Sequence, residues 1–119
     1  MTGQTFSPGT EQKLARLIQR VDHTIESRQK FDEMAVALSA WARRWPTAAL
    51  ARWLTVDDLP TGDREIALVA LALQATREAG EAIAGYDGGE RGEEHRLFTT
   101  LVRQEWKRRY DGESRRRAS

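Results

Sequence analysis

Tryptophans and basic residues alternate in two stretches of the chain, a combination that is typical of surfaces that bind nucleic acid. Arginine pairs with phosphate through two parallel hydrogen bonds, and aromatic rings stack on bases. The residues concerned are Arg43, Arg44 and Arg52 beside Trp41, Trp45 and Trp53, and Lys107, Arg108 and Arg109 after Trp106. The six basic residues form the predicted nucleic-acid-binding set. A structural alternative stays open, because all four tryptophans also fall at core spacing and an arginine beside a core position normally lies at its solvated rim.

The charges of the chain are segregated, although the net charge is only +1. Residues 103–119 contain seven basic and three acidic side chains and so carry +4, which leaves −3 for the rest of the chain. This asymmetry favours a basic surface near the C-terminus that would attract phosphates. Two structural explanations compete with it. Cations in the last turn of a helix interact favourably with the helix dipole, and Arg115, Arg116 and Arg117 would serve as a solubilising tail.

Metal ligation is not predicted. The chain has no cysteine, and its histidines are His23 and His95. A carboxylate-bridged di-iron bundle needs two Glu-x-x-His pairs. The chain has His23 and Glu26 in the reversed order, and Phe98 occupies the third position after His95. We therefore expect His23 to be a structural or solvent-facing residue.

Catalytic motifs are also missing from the sequence. No serine lies in a G-x-S-x-G elbow, and the glycine-rich segment 85–92 follows a helix and lacks the Gly-Lys-Ser/Thr ending of a phosphate-binding loop. The acidic pairs Asp57/Asp58 and Glu93/Glu94 occur at a loop and at a helix start, where carboxylates serve as caps. The prediction is a protein that is not an enzyme and has no cofactor.

The composition is that of a soluble globular domain. The chain has 119 residues, of which 39% are hydrophobic and 31% are charged. This length is close to that of one domain. Disordered chains combine few apolar residues with a high net charge, and this chain has neither feature. The N-terminus lacks the basic and apolar regions of a signal peptide, and no apolar run reaches the ~20 residues that span a membrane. We expect a cytoplasmic protein without a membrane contact.

One segment, Asp63–Tyr86, is predicted to be the central element. Its residues Ile66–Leu73 are apolar without interruption, so a helix here must be covered on most sides. A buried strand is the competing interpretation of a short apolar run, but the segment continues through strong helix formers. Leu68, Leu71 and Leu73 should be among the least exposed side chains.

The N-terminal half has apolar residues at a spacing of three and four. They are Leu14, Leu17, Val21, Phe31, Ala35, Leu38, Ala42 and Trp45, with the polar residues Thr24 and Arg28 at the two positions between Val21 and Phe31. The spacing indicates one long helix, or two helices broken near Ser27, ended by Pro46. The spacing is also that of a coiled coil, so the seam either packs along a bundle or joins two copies in a homo-oligomer.

Further helices are predicted after Pro46. Apolar spacing favours a helix at Thr47–Leu54 and a last helix at Glu93–Tyr110, which Asp111–Gly112 would end. Between them, a single turn is predicted at Thr55–Leu59 with Thr55 as a cap. Residues 60–62 form a connector, and Asp63 is expected to cap the central helix. No strand pattern is found. The predicted fold is all-α, a single helical domain over residues 1–119 built as a bundle of four to five helices, with flexible ends at 1–9 and 111–119.

Three pieces of the chain resemble a known family. They are GDREIALVALALQA, EEHRLFTTLV and QEWKRRYDG, and they look like parts of the helical small subunit of Cascade-type CRISPR effector complexes. The matching positions are Glu65 to Leu73, Arg96 to Leu101, and Trp106 to Tyr110. The resemblance implies a non-catalytic all-α subunit that packs along a ribonucleoprotein and contacts RNA or displaced DNA through arginine and lysine.

Two functional hypotheses follow. The first is a non-enzymatic subunit of a larger assembly, with other protein subunits and the RNA or DNA backbone as partners. The second is a helical adaptor or inhibitor that binds protein and not nucleic acid. This alternative includes a homodimeric form.

Overall fold

The structure is a computed structural model that describes Ala15 and residues 25–118, except for the side chains at 117 and 118. Residues 25–38 are helical (α1) and are followed by a short 3-10 helix at Ala42–Arg44. The remaining helices are α2 at Thr47–Trp53, α3 at Thr61–Gln74, α4 at Arg77–Ala84, a second 3-10 helix at Gly89–Arg91, and α5 at Glu93–Ala118. The described residues contain no strand, so the all-α prediction is confirmed.

Helix α3 is the centre of the bundle. It contacts α2, α4, α5 and the first 3-10 helix, and every side chain from Ala67 to Ala72 is fully buried. Leu68 and Leu71 are completely inaccessible and Leu73 is 9% exposed, which confirms the predicted core. Burying an apolar helix on all sides removes the most apolar part of the chain from water, and this is the main stabilisation of the fold.

The predicted central element is two helices rather than one. Ala75 ends α3 in the left-handed region, with φ of 52°, and Thr76 begins α4 by accepting a hydrogen bond from the Ala79 amide at 3.2 Å. Threonine competes with the helix for backbone hydrogen bonds, so it favours a cap over a helix interior. The start of α3 also differs from the prediction, because Asp63 lies in its first turn and the helix begins at Thr61 after Pro60.

Helix α1 continues through Ser27 without a break and ends at Leu38, before Trp45. Phe31 and Ala42 lie in the core, and Leu38 and Trp45 pack against it. This half of the apolar seam therefore faces its own chain. The earlier seam positions Leu14, Leu17 and Val21, together with residues 1–9, lie outside the described residues.

The loop between α2 and α3 is held by one buried arginine. Arg64 donates hydrogen bonds to four carbonyl oxygens, those of Leu54, Val56, Asp57 and Leu59. Residues 56–59 form the predicted turn, but the Thr55 hydroxyl donates to the Arg52 carbonyl at 2.7 Å instead of capping it. The four bonds satisfy carbonyls that have no helical partner.

Helix α5 does not end at Asp111–Gly112 as predicted. It continues to Ala118, so residues 111–118 are helical. Glu113 on this extension pairs with Arg43 at 2.6 Å, which ties the last turns of α5 to the first 3-10 helix. None of the described helices is long and apolar enough to cross a membrane.

Candidate nucleic-acid interface

A basic cleft of about 250 Å³ lies where the last turns of α5 pass the end of α3. Leu73 and Ala75, at the end of α3, contribute apolar surface to it. Its charged lining consists of Arg43 from the first 3-10 helix and of Arg108, Arg109, Glu113 and Arg116 from α5. Four arginines and one carboxylate give the cleft a clear excess of positive charge.

Gln74 positions Arg43. Its buried side-chain amide donates to the carbonyls of Ala42 and Trp45, both at 2.8 Å, and its oxygen accepts from the Thr47 hydroxyl at 2.7 Å. These bonds fasten the residues on both sides of Arg43 to the end of α3. Because a buried amide must be satisfied, this arrangement fixes the path of the backbone from which the Arg43 side chain projects.

Arg108 and Arg109 have a structural task as well. Both approach Glu105, a buried carboxylate that is also bonded to Arg28 of α1. Arg28 and Arg109 lie over the Phe31 ring, each with its guanidinium carbon 5.9 Å from the ring centre. The cluster joins α1 to α5 through a charge that would be costly to bury alone.

The arginines keep Glu105 ionised. Burial by itself would raise the pKa of Glu105, but hydrogen bonds from Arg108 and Arg28, with their positive charges, outweigh it and lower the pKa below the ordinary value. Arg109 completes the cluster less fully. Its Nε is buried, lies 3.5 Å from the Glu105 carboxylate and has no hydrogen-bond partner among the described residues.

The structure brings together half of the predicted binding set. Arg43, Arg108 and Arg109 line the cleft, whereas Arg44, Arg52 and Lys107 are exposed and lie outside its lining. The predicted set of six basic residues did not include Glu113 or Arg116, although Arg116 belongs to the basic stretch 103–119 that was expected to attract phosphates. Both residues follow Glu105, Arg108 and Arg109 at helical spacing, a signal that the predicted helix end at Gly112 concealed.

The tryptophans fall into two groups. Trp41 and Trp53 are exposed, while Trp45 and Trp106 pack against the core. The Trp106 indole donates to the Thr76 carbonyl at 2.8 Å and stacks on Tyr110 with 4.9 Å between ring centres. Packing therefore explains why Trp106 falls at core spacing. Trp41 and Trp53 are the tryptophans that lie on the surface.

A second buried polar network was not predicted. The Tyr86 hydroxyl lies 2.6 Å from His95 Nε2, His95 Nδ1 lies 3.0 Å from Glu65, and Lys30 donates to Glu65 at 2.9 Å. Burial would raise the pKa of Glu65, but hydrogen bonds from His95 and Lys30 lower it overall. His95 and Tyr86 are buried, and the network joins α1, α3, α5 and the loop after α4. No short-range pattern could have shown it, because its members are far apart in the chain.

Among the described residues, no group of three or more histidine, aspartate or glutamate side chains could hold a metal ion. His23 lies outside that part of the chain. The sequence matches no protein-family model, no curated protein and no solved structure. The resemblance to the Cascade small subunit therefore stays a prediction, and the functional argument rests on the geometry of the cleft.

Proposed function

We propose that this chain is a non-enzymatic binding subunit that contacts the phosphate backbone of nucleic acid through the basic cleft. The observation that carries the proposal is the meeting of Arg43 with Arg108, Arg109 and Arg116 in one cavity. The resemblance noted in the sequence implies the same role. Arginine presents a planar set of donors that matches phosphate oxygens, and each neutralised phosphate releases counterions.

The size and lining of the cleft support a small anionic group. Its volume of about 250 Å³ is below the range usual for sites that enclose drug-sized organic ligands. The Arg43 side chain is 70% exposed and accessible to a polymer passing over the surface. A cleft of this kind can accept a backbone phosphate without enclosing the strand.

The helix dipole does not explain the whole cluster. Cations in the last turns of a helix stabilise it by about 0.3–1 kcal/mol, which is a sufficient reason for Arg116. Pairing with Glu105 is a sufficient reason for Arg108 and Arg109. The dipole of α5 does not apply to Arg43, which belongs to a different element, pairs with Glu113 at 2.6 Å and faces the same cavity.

A protein-directed adaptor is the second candidate, and exposed apolar residues favour it. Ile25 and Val36 of α1 are exposed, Val36 to 78%, and their separation of eleven residues places them on the same side of the helix. Trp41 and Trp53 are exposed as well. Binding through such a surface would depend little on salt, unlike binding to phosphates.

The test is binding of labelled single-stranded DNA, single-stranded RNA and duplex DNA, measured by fluorescence anisotropy over a salt series. Arg43→Gln is the informative variant, because it removes a cleft charge without leaving Glu105 unpaired. Arg77→Gln is its matched control, since Arg77 forms an exposed ion pair with Glu81 at 3.3 Å away from the cleft. Replacing Arg108 and Arg109 by Gln would remove partners of the buried Glu105, so a loss of binding could not be told apart from a loss of stability.

We expect wild-type binding to weaken steeply with salt. Arg43→Gln should lower the affinity and reduce the slope of log affinity against log salt by about 0.7–0.9, the value for one lost phosphate contact. Arg77→Gln should keep the wild-type slope. Absence of binding at low salt, or equal effects of the two variants, would reject the proposal and favour the adaptor.

A further inference from the structure

The Arg43–Glu113 ion pair lines two cavities. One is the basic cleft. The other, of about 280 Å³, is lined by Arg43, Trp45, Thr47, Gln74, Thr76 and Glu113. Arg43 and Glu113 are the residues common to both linings, so the two spaces meet at this pair. If the pair opened, they would join into one groove, which we call the joined groove.

The pair is of a kind that opens easily. Its atoms are 2.6 Å apart, but the side chains of Arg43 and Glu113 are 70% and 25% exposed. Exposed ion pairs contribute little to stability because water and salt screen them. A phosphate offers more oxygens than a carboxylate and can carry a larger charge, so it can replace Glu113 as the partner of Arg43.

The two halves of the joined groove differ in chemistry. In the basic cleft, Arg108 donates hydrogen bonds from Nε and Nη2 to the Glu105 carboxylate. Its Nη1 makes none of the described contacts and can donate to a ligand. The second cavity has an aromatic wall at Trp45. The Thr47 hydroxyl donates to Gln74 and can still accept, whereas the Thr76 oxygen accepts from Ala79 and its proton can still be donated.

We propose that the joined groove binds one nucleoside phosphate unit and that Glu113 is a built-in competitor for its phosphate. The phosphate displaces the Glu113 carboxylate and pairs with Arg43 and Arg108. The base and sugar occupy the second cavity against Trp45, within reach of Thr47 and Thr76. The unit belongs either to a strand, in which case the inference rests on the proposed function, or to a free mononucleotide.

The direction in which two substitutions change the binding affinity distinguishes this competition from a purely structural ion pair. Arg43→Gln and Glu113→Gln break the same ion pair, so a merely structural role would make both variants change binding in the same direction. Competition requires opposite directions, because one variant removes the ligand for phosphate and the other removes its rival. Glu81→Gln is the matched control, since it breaks the exposed Arg77–Glu81 pair with the same change of charge.

We expect Glu113→Gln to bind a single-stranded oligothymidylate about two- to fivefold more tightly than wild type, the factor that corresponds to an exposed ion pair. Glu81→Gln should bind like wild type at physiological salt, where a distant charge is screened. Equal affinities of Glu113→Gln and Glu81→Gln, or weaker binding by Glu113→Gln, would overturn the competition.

Nuclear magnetic resonance titrations identify the ligand. Adenosine 5′-monophosphate should shift the amide signals of Gly112 in the basic cleft and of Thr47 and Thr76 in the second cavity. Inorganic phosphate should shift only the first, and adenosine should be the weakest ligand. Identical shift patterns for the mononucleotide and inorganic phosphate, or no shift at Thr47 and Thr76, would overturn the nucleotide assignment.

The outcomes separate the two proposals. Binding of the mononucleotide without any binding of oligonucleotides supports the joined groove as a free-nucleotide site and rejects the proposed function. Binding of oligonucleotides that Arg43→Gln weakens, with Glu113→Gln equal to Glu81→Gln, keeps the proposed function and rejects the inference.

Discussion

Gly80 of α4 lies against the indole of Trp106 on α5. A Cβ atom at this position would lie 2.1 Å from Cζ2 of Trp106, far inside contact distance. Trp106 cannot move away freely, because its indole donates to the Thr76 carbonyl and its ring stacks on Tyr110. The absence of a side chain at Gly80 therefore allows α4 to pack on α5 with the indole between them.

We predict that Gly80→Ala destabilises the protein by about 1–3 kcal/mol, the usual cost of overpacking. Helix propensity alone predicts the opposite, a gain of about 0.8–1 kcal/mol for replacing glycine by alanine in a helix. Urea denaturation followed by circular dichroism measures the difference. A more stable variant would show that the indole does not lie over Gly80.

Helix α5 contributes Glu113 and Arg116 to the basic cleft because it continues past Gly112. Two acidic residues, Glu93 and Glu94, lie in its first turn, where they suit the dipole. Glycine usually marks a helix end, but a helical glycine is also tolerated when contacts beyond it hold the chain. The helical chain beyond Gly112 carries Glu113, which pairs with Arg43, and Arg116.

Gly112→Ala should stabilise the protein by about 0.5–1 kcal/mol, because alanine has the higher helix propensity. A Cβ atom there would meet nothing within 4 Å, so no packing cost opposes the gain. The thermal midpoint is the measurement, and Gly80→Ala is the contrasting helical glycine. Destabilisation by Gly112→Ala would mean that the helix ends at Gly112 in a left-handed cap.

Two buried carboxylates join α1, α3 and α5. Glu65 of α3 receives hydrogen bonds from Lys30 of α1 and is bonded to His95 of α5. Glu105 of α5 holds Arg28 of α1. In both cases the favourable partners outweigh burial and lower the pKa of the carboxyl from 4.5. The carboxylates thus stabilise the fold in their ionised form.

This arrangement predicts loss of stability in acid. A carboxyl whose pKa is lower in the folded than in the unfolded protein stabilises the fold above its unfolded pKa, and that contribution disappears as the pH falls through the folded value. Stability should therefore decline from about pH 4.5 downward. The urea midpoint, measured between about pH 7 and about pH 3, follows this decline.

The variant Glu105→Gln tests how much of the loss of stability in acid comes from Glu105. It should be less stable than wild type at neutral pH and should lose less on acidification, because one of the two carboxyls no longer titrates. Glu78→Gln, at an exposed position of α4, should lose stability on acidification in parallel with wild type. A Glu105→Gln curve parallel to that of wild type would contradict the role of Glu105.

The sequence by itself determined the fold class and the core helix. Helical spacing and the uninterrupted apolar run at Ile66–Leu73 identify α3, because an apolar helix can only be stable when it is covered. The boundaries at Thr47 and Glu93 were also predicted. Proline and the acidic first turn are local signals, so a local pattern is enough to place them.

Tertiary structure alone decided the contacts between helices and the cleft. Gln74, Trp106 and Arg43 make contacts with residues distant in the chain. The same packing brings Arg43 to the arginines of α5 and buries Glu65 and Glu105 among cations. The partner of a side chain some 30 or 70 residues away depends on how whole helices pack, and no local pattern contains that information.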